Sequence, residues 1–432
     1  MPDSDPLDSF SEAHARALDT ADSLAHFRDR FHTQPGVAYL DGNSLGLLSR
    51  DAETAVLAAL ESWKTHGIDG WLAADPPWFT LGETLGARMA AMLGATPSSV
   101  VVTGTTTVNL HQMVGTFYRS TGTRRQILAT ALDFPSDLYA LQTQIRLRGG
   151  DPDSDLVLVK SRDGRTIAED DIVAAITDRT ALVLLPSVLY RSGQLLDIPR
   201  LARAAYDRGA LIGFDCAHSV GVLPHAFDDW DIDFAIWCTY KYLNSGPGAV
   251  GALYVNPRHF GTEPALAGWW GYRKDRQFDM ANHWEGASGA GAWQISTIPL
   301  LSTSALLGTL AIHEEAGIDA IRAKSLSQTD YLIALIEASG LCDEPYGYRI
   351  GTPRDHAQRG GHVAVEHDDG ASISQALKAR GIIVDFRPPD VVRIAPIALY
   401  TTYRELWRTV QILKKIIDTG EHRTAQGTGL VT

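Results

Sequence analysis

Cysteine is scarce: Cys216, Cys238 and Cys342 are the only three in 432 residues, and no two stand in a CxxC spacing. That excludes a disulfide framework and a cysteine-built zinc site, and it fits a reducing compartment. HExxH is missing as well, as are internal repeats and low-complexity blocks. No run of 18 apolar residues occurs, which argues against a membrane span. The acidic start MPDSDPLDSF has neither the basic n-region nor the apolar h-region of a secretory signal. Positive charge is short, because 38 Lys and Arg face 51 Asp and Glu, for a formal net charge of −13. Phosphate backbones and anionic membranes are therefore disfavoured as partners, although a local basic pocket for one small anion is still open. These absences lead us to expect a soluble, cytoplasmic protein that handles a small molecule and has no bound metal.

What is present suffices for a large core: 45% of residues are apolar and 21% charged. The length exceeds the ~250–300 residues at which single cores stop growing, so one large domain plus a smaller one is expected. Short apolar runs alternate with helix-period segments: SVVVTG then VNLHQMVGTFYRS, RQILATA then SDLYALQTQIRLRG, TALVLLPSV then IPRLARAAYDRG, followed by ALIGFD, DFAIWCT and AVGALYVN. That alternation predicts an α/β fold with a mainly parallel sheet buried on both faces. After about residue 305 a long helical stretch leads into weaker strands (GHVAVEH, GIIVDFRP, VVRIAP) and a final helix, ELWRTVQILKKIID. We expect an N-terminal arm with helices over 1–60, a large domain over 61–305 and a smaller α+β domain over 306–432. The arm includes a helical stretch, SEAHARALDTADSLAHFRDRF, and the tail HRTAQGTGLVT reads as frayed.

GPGAVG, residues 246–251, matches GxGxxG letter for letter. A dinucleotide fingerprint must open a helix, however, whereas here Pro247 stiffens a turn and ALYV reads as a strand. We set that motif aside. No Walker sequence is present either.

In open α/β sheets ligands bind beyond the carboxyl ends of the strands, so the loops after apolar runs matter most. Those loops hold what a pyridoxal-phosphate enzyme needs: a lysine for the Schiff base, a carboxylate for the pyridine nitrogen, phosphate donors and a stacking ring. Lys241 lies just past DFAIWCT, and Asp215 closes ALIGFD with His218 three residues on. Thr105, Thr106 and Thr107 stand where a strand hands over to a helix, an arrangement that seats phosphate without a lysine. Phe134 in DFPSD can lie on a planar ring, with Ser136 and Asp137 beside it. Arg393 interrupts the apolar run VVRIAP, a setting that suits a substrate carboxylate. Each has an ordinary structural account as well: a snorkelling lysine, helix caps at Asp215, the threonines, Ser136 or Asp137, a core phenylalanine, a surface arginine on an edge strand, and a Trp269–Trp270 pair in core or interface.

Order and placement are more specific than any single residue. YLDGNSLGLL, TTTVNLH, DFPSD, YRSGQ, GFDCAHSVG, DWDIDFAIWCTYKYLNSGPG, GWWG and VVRIAPIALY run in this order from residue 39 to about 400. Together they resemble the kynureninase family, pyridoxal-phosphate enzymes of fold type I with an aspartate-aminotransferase-like architecture. The resemblance implies that Lys241 carries the cofactor, Asp215 pairs with its ring nitrogen, and Phe134 stacks on the ring. Thr106, Thr107 and Tyr240 take the phosphate region, His218 stands beside the cofactor, and Ser136 and Asp137 complete the cofactor loop. Tyr240 is also the candidate for proton transfer at the γ-carbonyl. Arg393 meets the substrate α-carboxylate, with Asn43, Ser44, Ile68, Trp269 and Thr297 on the substrate side. Trp269 and Thr297 match positions supplied across a subunit boundary, which implies a homodimer with shared sites. The implied reaction is hydrolysis of the Cβ–Cγ bond of kynurenine or 3-hydroxykynurenine to an anthranilate and alanine. Thr297 and Ile68 depart from the animal enzymes and lean toward plain kynurenine, while Tyr272 leaves a ring-modified substrate open. The rivals are another enzyme of this fold, a cysteine desulfurase or class V aminotransferase, and a cofactor-binding scaffold without catalysis.

Overall fold

The Val-, Leu- and Ile-rich runs assemble into one seven-stranded sheet in the computed structural model, which describes residues 10–423. Its strands are β1 (Val100–Val102), β2 (Gln126–Thr130), β3 (Leu156–Val159), β4 (Thr180–Pro186), β5 (Leu211–Asp215), β6 (Phe234–Cys238) and β7 (Gly251–Val255). Their spatial order is β1-β7-β6-β5-β4-β2-β3. Strands β2 to β6 are parallel, and β7 is antiparallel to both its neighbours. β4 and β6 are buried at every residue, as apolar runs covered on both faces must be. Successive side chains point to opposite faces. Val183, Leu185, Ala235 and Trp237 therefore feed one hydrophobic cluster, and Leu182, Leu184, Phe234 and Ile236 feed the other. Each large side chain so buried contributes about 1.5–3 kcal/mol.

Helices α1 (Arg50–His66), α2 (Thr106–Phe117), α3 (Pro135–Leu147) and α4 (Ile198–Asp207) flank this sheet or lead into it. α4 shows why such segments are helical: Asp197 caps it through the Arg200 N–H, and Ile198, Leu201, Ala202 and Ala205 bury one face at spacings of three and four. α2 follows β1 and α3 follows β2, so both helices start at the sheet edge where a ligand would sit.

The C-terminal part carries α5 (Leu300–Ala316), α6 (Ile318–Ala338), the strands β8 (Arg349–Ile350), β9 (Val363–Glu366), β10 (Asp385–Arg387) and β11 (Val391–Ile394), and α7 (Tyr403–Asp418). The four strands are antiparallel in the order β10-β11-β9-β8. α5 spans residue 305, where the change of pattern falls, and it packs along α1. A separate hydrophobic cluster fills this part, and it takes in Ala15, Ala38 and Leu40 from the start of the chain. Ala38 and Tyr39 pair in parallel with Ile382 and Ile383. That pairing carries the adjoining YLDGNSLG stretch across to the large sheet.

GPGAVG forms a turn that runs straight into β7, with no helix behind it. Residues 1–9 and 424–432 lie outside the described residues, and with them nearly all of the acidic start and the frayed tail. Among the described residues no helix is long and apolar enough to cross a membrane.

Candidate active site

The carboxyl ends of β5 and β6, the starts of α2 and α3, and two segments of the C-terminal and N-terminal parts enclose one cavity of about 580 Å³. Lys241 and Asp215 both open into it. The lysine is brought there by a tightly bonded loop. After β6, the Thr239 hydroxyl donates to the Val250 carbonyl at 2.6 Å and accepts from Ser245 at 2.5 Å. Asn244, at φ 55°, returns its N–H to the Lys241 carbonyl at 2.9 Å. From the N-terminal side the Gly46 N–H donates to the Tyr240 carbonyl at 2.8 Å. Only glycine fits at 46, because a Cβ there would stand 2.5 Å from the Lys241 carbonyl oxygen. Lys241 Nζ ends 3.0 Å from His218 Nε2, so the surface account of this lysine does not hold.

Asp215 is buried, and its Oδ1 accepts the Ala217 N–H at 2.8 Å. Burial leaves its pKa raised, although Lys241, the Ala217 N–H and Asp137 oppose that shift. Asp137 has the opposite surroundings: burial, Asp215 and Asp133 all push it well above the usual carboxylate range. Asp137 therefore keeps its proton and shares it with Asp215, which stays the anion. Burial and the Lys241 ammonium hold His218 well below an ordinary histidine, so its imidazole is neutral. Burial, with Cys238 beside it, raises the Tyr240 phenol, which is consequently a donor at neutral pH.

Thr106 and Thr107 form the first turn of α2 and line the cavity. Thr105 is the N-cap but makes no side-chain capping bond, so that first turn keeps its N–H groups for a ligand. Phe134 is not core. It caps α3 at the cavity wall, 41% exposed, edge-on to Tyr190 at a centroid distance of 5.3 Å. Ser136 lines the cavity beside it.

Arg393 sits on β11, with β9 on one side and β10 on the other. The edge-strand account of this arginine is thereby corrected, since the antiparallel order places it inside the sheet and buries it. Its Nη1 donates to the Tyr190 carbonyl at 2.8 Å, and Nη2 donates to Ser44 Oγ at 3.0 Å and to the Asp385 carboxylate. Arg387 shares that carboxylate at 2.8 Å. Asn43 is fully buried at the cavity wall with both amide atoms unpartnered. A cationic fork with Ser44 and a free amide beside it is suited to a carboxylate.

Trp269, Thr297 and Ile68 do not line this chain's cavity. Trp269 is 43% and Ile68 78% exposed, and Thr297 is exposed too. Tyr272 is buried with its hydroxyl unpartnered. Two charged residues of the cavity wall, Asp41 and Arg387, escaped the sequence reading. Asp41 has a signal, two residues before Asn43 in the same motif, and here burial and Asp385 raise its pKa to about 7. Arg387 interrupts an apolar segment as Arg393 does, yet GIIVDFRP reads only as a weak strand. No cluster that could hold a metal ion occurs among the described residues.

Solved structures with the same architecture include the apo cysteine desulfurase from Thermococcus onnurineus NA1, with TM-score 0.75, 17% identity, and 94% of this chain and 98% of that one covered. Another is a mutant of C-DES with glycine covalently linked to its PLP cofactor, with TM-score 0.76, 19% identity and coverage of 89% and 98%. This chain shares the fold of these two solved proteins, and its cleft lies at the edge of the large sheet. Sequence relatives narrow this further. The kynureninase of Geobacillus thermodenitrificans (strain NG80-2) is 53% identical over 409 residues, 95% of each chain. That of Bacillus anthracis is 54% identical over 410 residues, again 95% of each. The family model described as Kynureninase C-terminal domain matches residues 321–413. The chain belongs to the kynureninase family.

Proposed function

We propose that this chain hydrolyses L-kynurenine at its Cβ–Cγ bond, giving anthranilate and L-alanine, with pyridoxal 5'-phosphate as cofactor. The observation that carries the reading is one cavity into which Lys241, the buried Asp215 and the Arg393 fork all open. The residues present fit the cofactor. The uncapped first turn of α2 offers N–H groups and the hydroxyls of Thr106 and Thr107 to a phosphate, Phe134 offers a ring face, and Asp215 offers a buried anion. When bound, pyridoxal phosphate supplies an electron sink conjugated to the substrate Cα.

The protein's own groups do the rest. Asp215 holds a proton on the ring nitrogen, and Asp137 keeps Asp215 anionic by holding the other proton. Lys241 takes the Cα proton as general base and later returns a proton as general acid. The neutral His218 accepts a hydrogen bond from its amine and steadies it. Tyr240 donates its phenolic proton at the γ-carbonyl oxygen as water adds to that carbon. The Cβ–Cγ bond then breaks, with the acyl carbon keeping the water's hydroxyl and Cβ taking a proton. Arg393, Ser44 and Asn43 hold the α-carboxylate.

Several finer points belong to the same reading. Trp269 and Thr297 complete the substrate end across the boundary of a homodimer with shared sites, which their exposure on a single chain supports. Thr297 and Ile68 favour plain kynurenine over the 3-hydroxy compound. The three free cysteines support a cytoplasmic setting. A division into an arm over 1–60, a cofactor-binding unit over 61–305 and a small unit over 306–432 belongs to the same reading; a second hydrophobic cluster in the C-terminal part supports it, while Leu306 and Leu310 pack with the large unit and Ala15, Ala38 and Leu40 with the small one. A desulfurase reading needs a mobile reactive thiol. Burial instead raises Cys216 to about 12 and raises Cys238, while the exposed Cys342 lies outside the cavity.

Purified protein supplied with pyridoxal phosphate should turn yellow, and borohydride should fix the cofactor on Lys241. Kynurenine should yield anthranilate and alanine, with kcat/KM above that of 3-hydroxykynurenine. A colourless, unlabelled protein, or release of sulfide from cysteine instead, would sink the reading.

A further inference from the structure

Behind Lys241 the interior holds three imidazole nitrogens with nothing to bond. His218 reaches Lys241 Nζ through Nε2 at 3.0 Å, while its Nδ1 has no partner. His362 is fully buried, and neither of its ring nitrogens is paired. The two rings lie 5.9 Å apart between centroids with planes at 60°, and no direct hydrogen bond joins them. They come from distant parts of the chain: His218 follows β5, and His362 immediately precedes β9. The His362 loop is bound to the YRSGQ turn, where the Gly360 N–H donates to the Gly193 carbonyl at 2.8 Å and the Leu195 N–H to the Gln358 carbonyl at 2.9 Å. Gly193, at φ +74°, packs directly on the ring, since a Cβ there would lie 3.3 Å from His362 Nε2 and 2.9 Å from the His362 carbonyl oxygen.

The protonation states follow from the surroundings. Burial and Arg393, with Lys241 adding to them, lower His362 to about 3 against the opposing pull of the Arg191 backbone. Both imidazoles are neutral. A neutral His218 that accepts from the Lys241 ammonium at Nε2 carries its proton on Nδ1. That N–H is buried and needs an acceptor. Two rings at this separation, each with free polar atoms, suit one bridging water.

We infer that His362 is a positioning residue for Lys241: through a buried water it accepts the hydrogen bond of His218 Nδ1–H, fixes that tautomer, and so aims His218 Nε2 at the lysine amine. The inference rests on Lys241 being the cofactor lysine.

In the cofactor-free protein, imidazole 15N shifts should show His218 as one neutral tautomer protonated at Nδ1. His362→Phe, which fills the space without nitrogens, should give a tautomer mixture. In the loaded enzyme this variant should lose roughly tenfold to a hundredfold in kcat, with KM changed less than about twofold. His362→Gln keeps an acceptor and should regain much of the loss. An unchanged tautomer in H362F together with undiminished kcat overturns the inference. If phenylalanine prevents folding, the wild type decides, because His218 protonated at Nε2 refutes it equally. Borohydride labelling of wild-type Lys241 separates the two ideas: a labelled lysine with an unaltered H362F tautomer rejects only the role of His362, and an unlabelled lysine rejects the underlying reading.

Discussion

Replacing Arg393 with glutamine separates its structural role from its chemical one. Arg393, at the cavity wall, and Asp385 are almost wholly buried, with side chains 2% and 0% exposed. Removing one member of such a pair typically costs about 3–5 kcal/mol, because the remaining charge is stranded. Here Arg387 stays 2.8 Å from the same carboxylate. It takes over part of the compensation, so the expected loss is about 2–3 kcal/mol, at or below the low end of that range. Urea unfolding of the cofactor-free protein at neutral pH measures it. Adding Asp385→Asn removes the stranded charge and should recover at least half of the lost stability. Activity should behave differently. Two charge-assisted hydrogen bonds to the substrate carboxylate, at about 1.5–2 kcal/mol each, correspond to roughly a hundredfold to a thousandfold in kcat/KM. The double variant should stay as inactive as Arg393→Gln. A single variant of wild-type stability, or a double variant that recovers activity along with stability, would refute the reasoning.

Phe134 is 41% exposed at the cavity wall and outside the hydrophobic core, so Phe134→Ala should change the stability of the cofactor-free protein by less than about 1 kcal/mol. Its affinity for pyridoxal phosphate, followed by absorbance titration, should fall about tenfold with the loss of a stacking partner worth ~1 kcal/mol or more. Gly46→Ala drives a methyl group against the Lys241 carbonyl and the Asn244 backbone. It should lower stability by about 1–3 kcal/mol, the usual cost of overpacking, and slow cofactor attachment at Lys241 in a borohydride-trapping time course. Asp41 has a folded pKa of about 7, above that of an unfolded aspartate. The fold therefore favours its protonated form; that contribution is complete below about pH 4 and is lost as pH rises through 7. Asp41→Asn should be more stable than wild type at pH 8, by up to about 4 kcal/mol, and the advantage should vanish near pH 4. Urea unfolding at both pH values checks this, and an advantage independent of pH counts against it.

The sequence by itself determined the strands of the large sheet, because Val, Leu and Ile runs between helix-period segments can be buried only one way in an α/β fold. It also marked most of the cavity: Lys241, Asp215, the threonines and Phe134 stand at run ends, and run ends are where strands deliver side chains. GPGAVG was legible as a turn because ALYV continues as strand β7. Tertiary structure alone decided what each of these groups faces. VVRIAP reads equally well as an edge or an interior strand, and it is the antiparallel register against Ala364 and Asp385 that buries Arg393 and gives it a partner. Which of Asp137 and Asp215 keeps the proton depends on the nearby Asp133 and Lys241, brought in from different loops. Asp41 and His362 carry no periodic signal, since each acts through neighbours more than 100 residues away along the chain. Local composition reports whether a residue is buried, whereas the charges it is buried beside are set by long-range pairing.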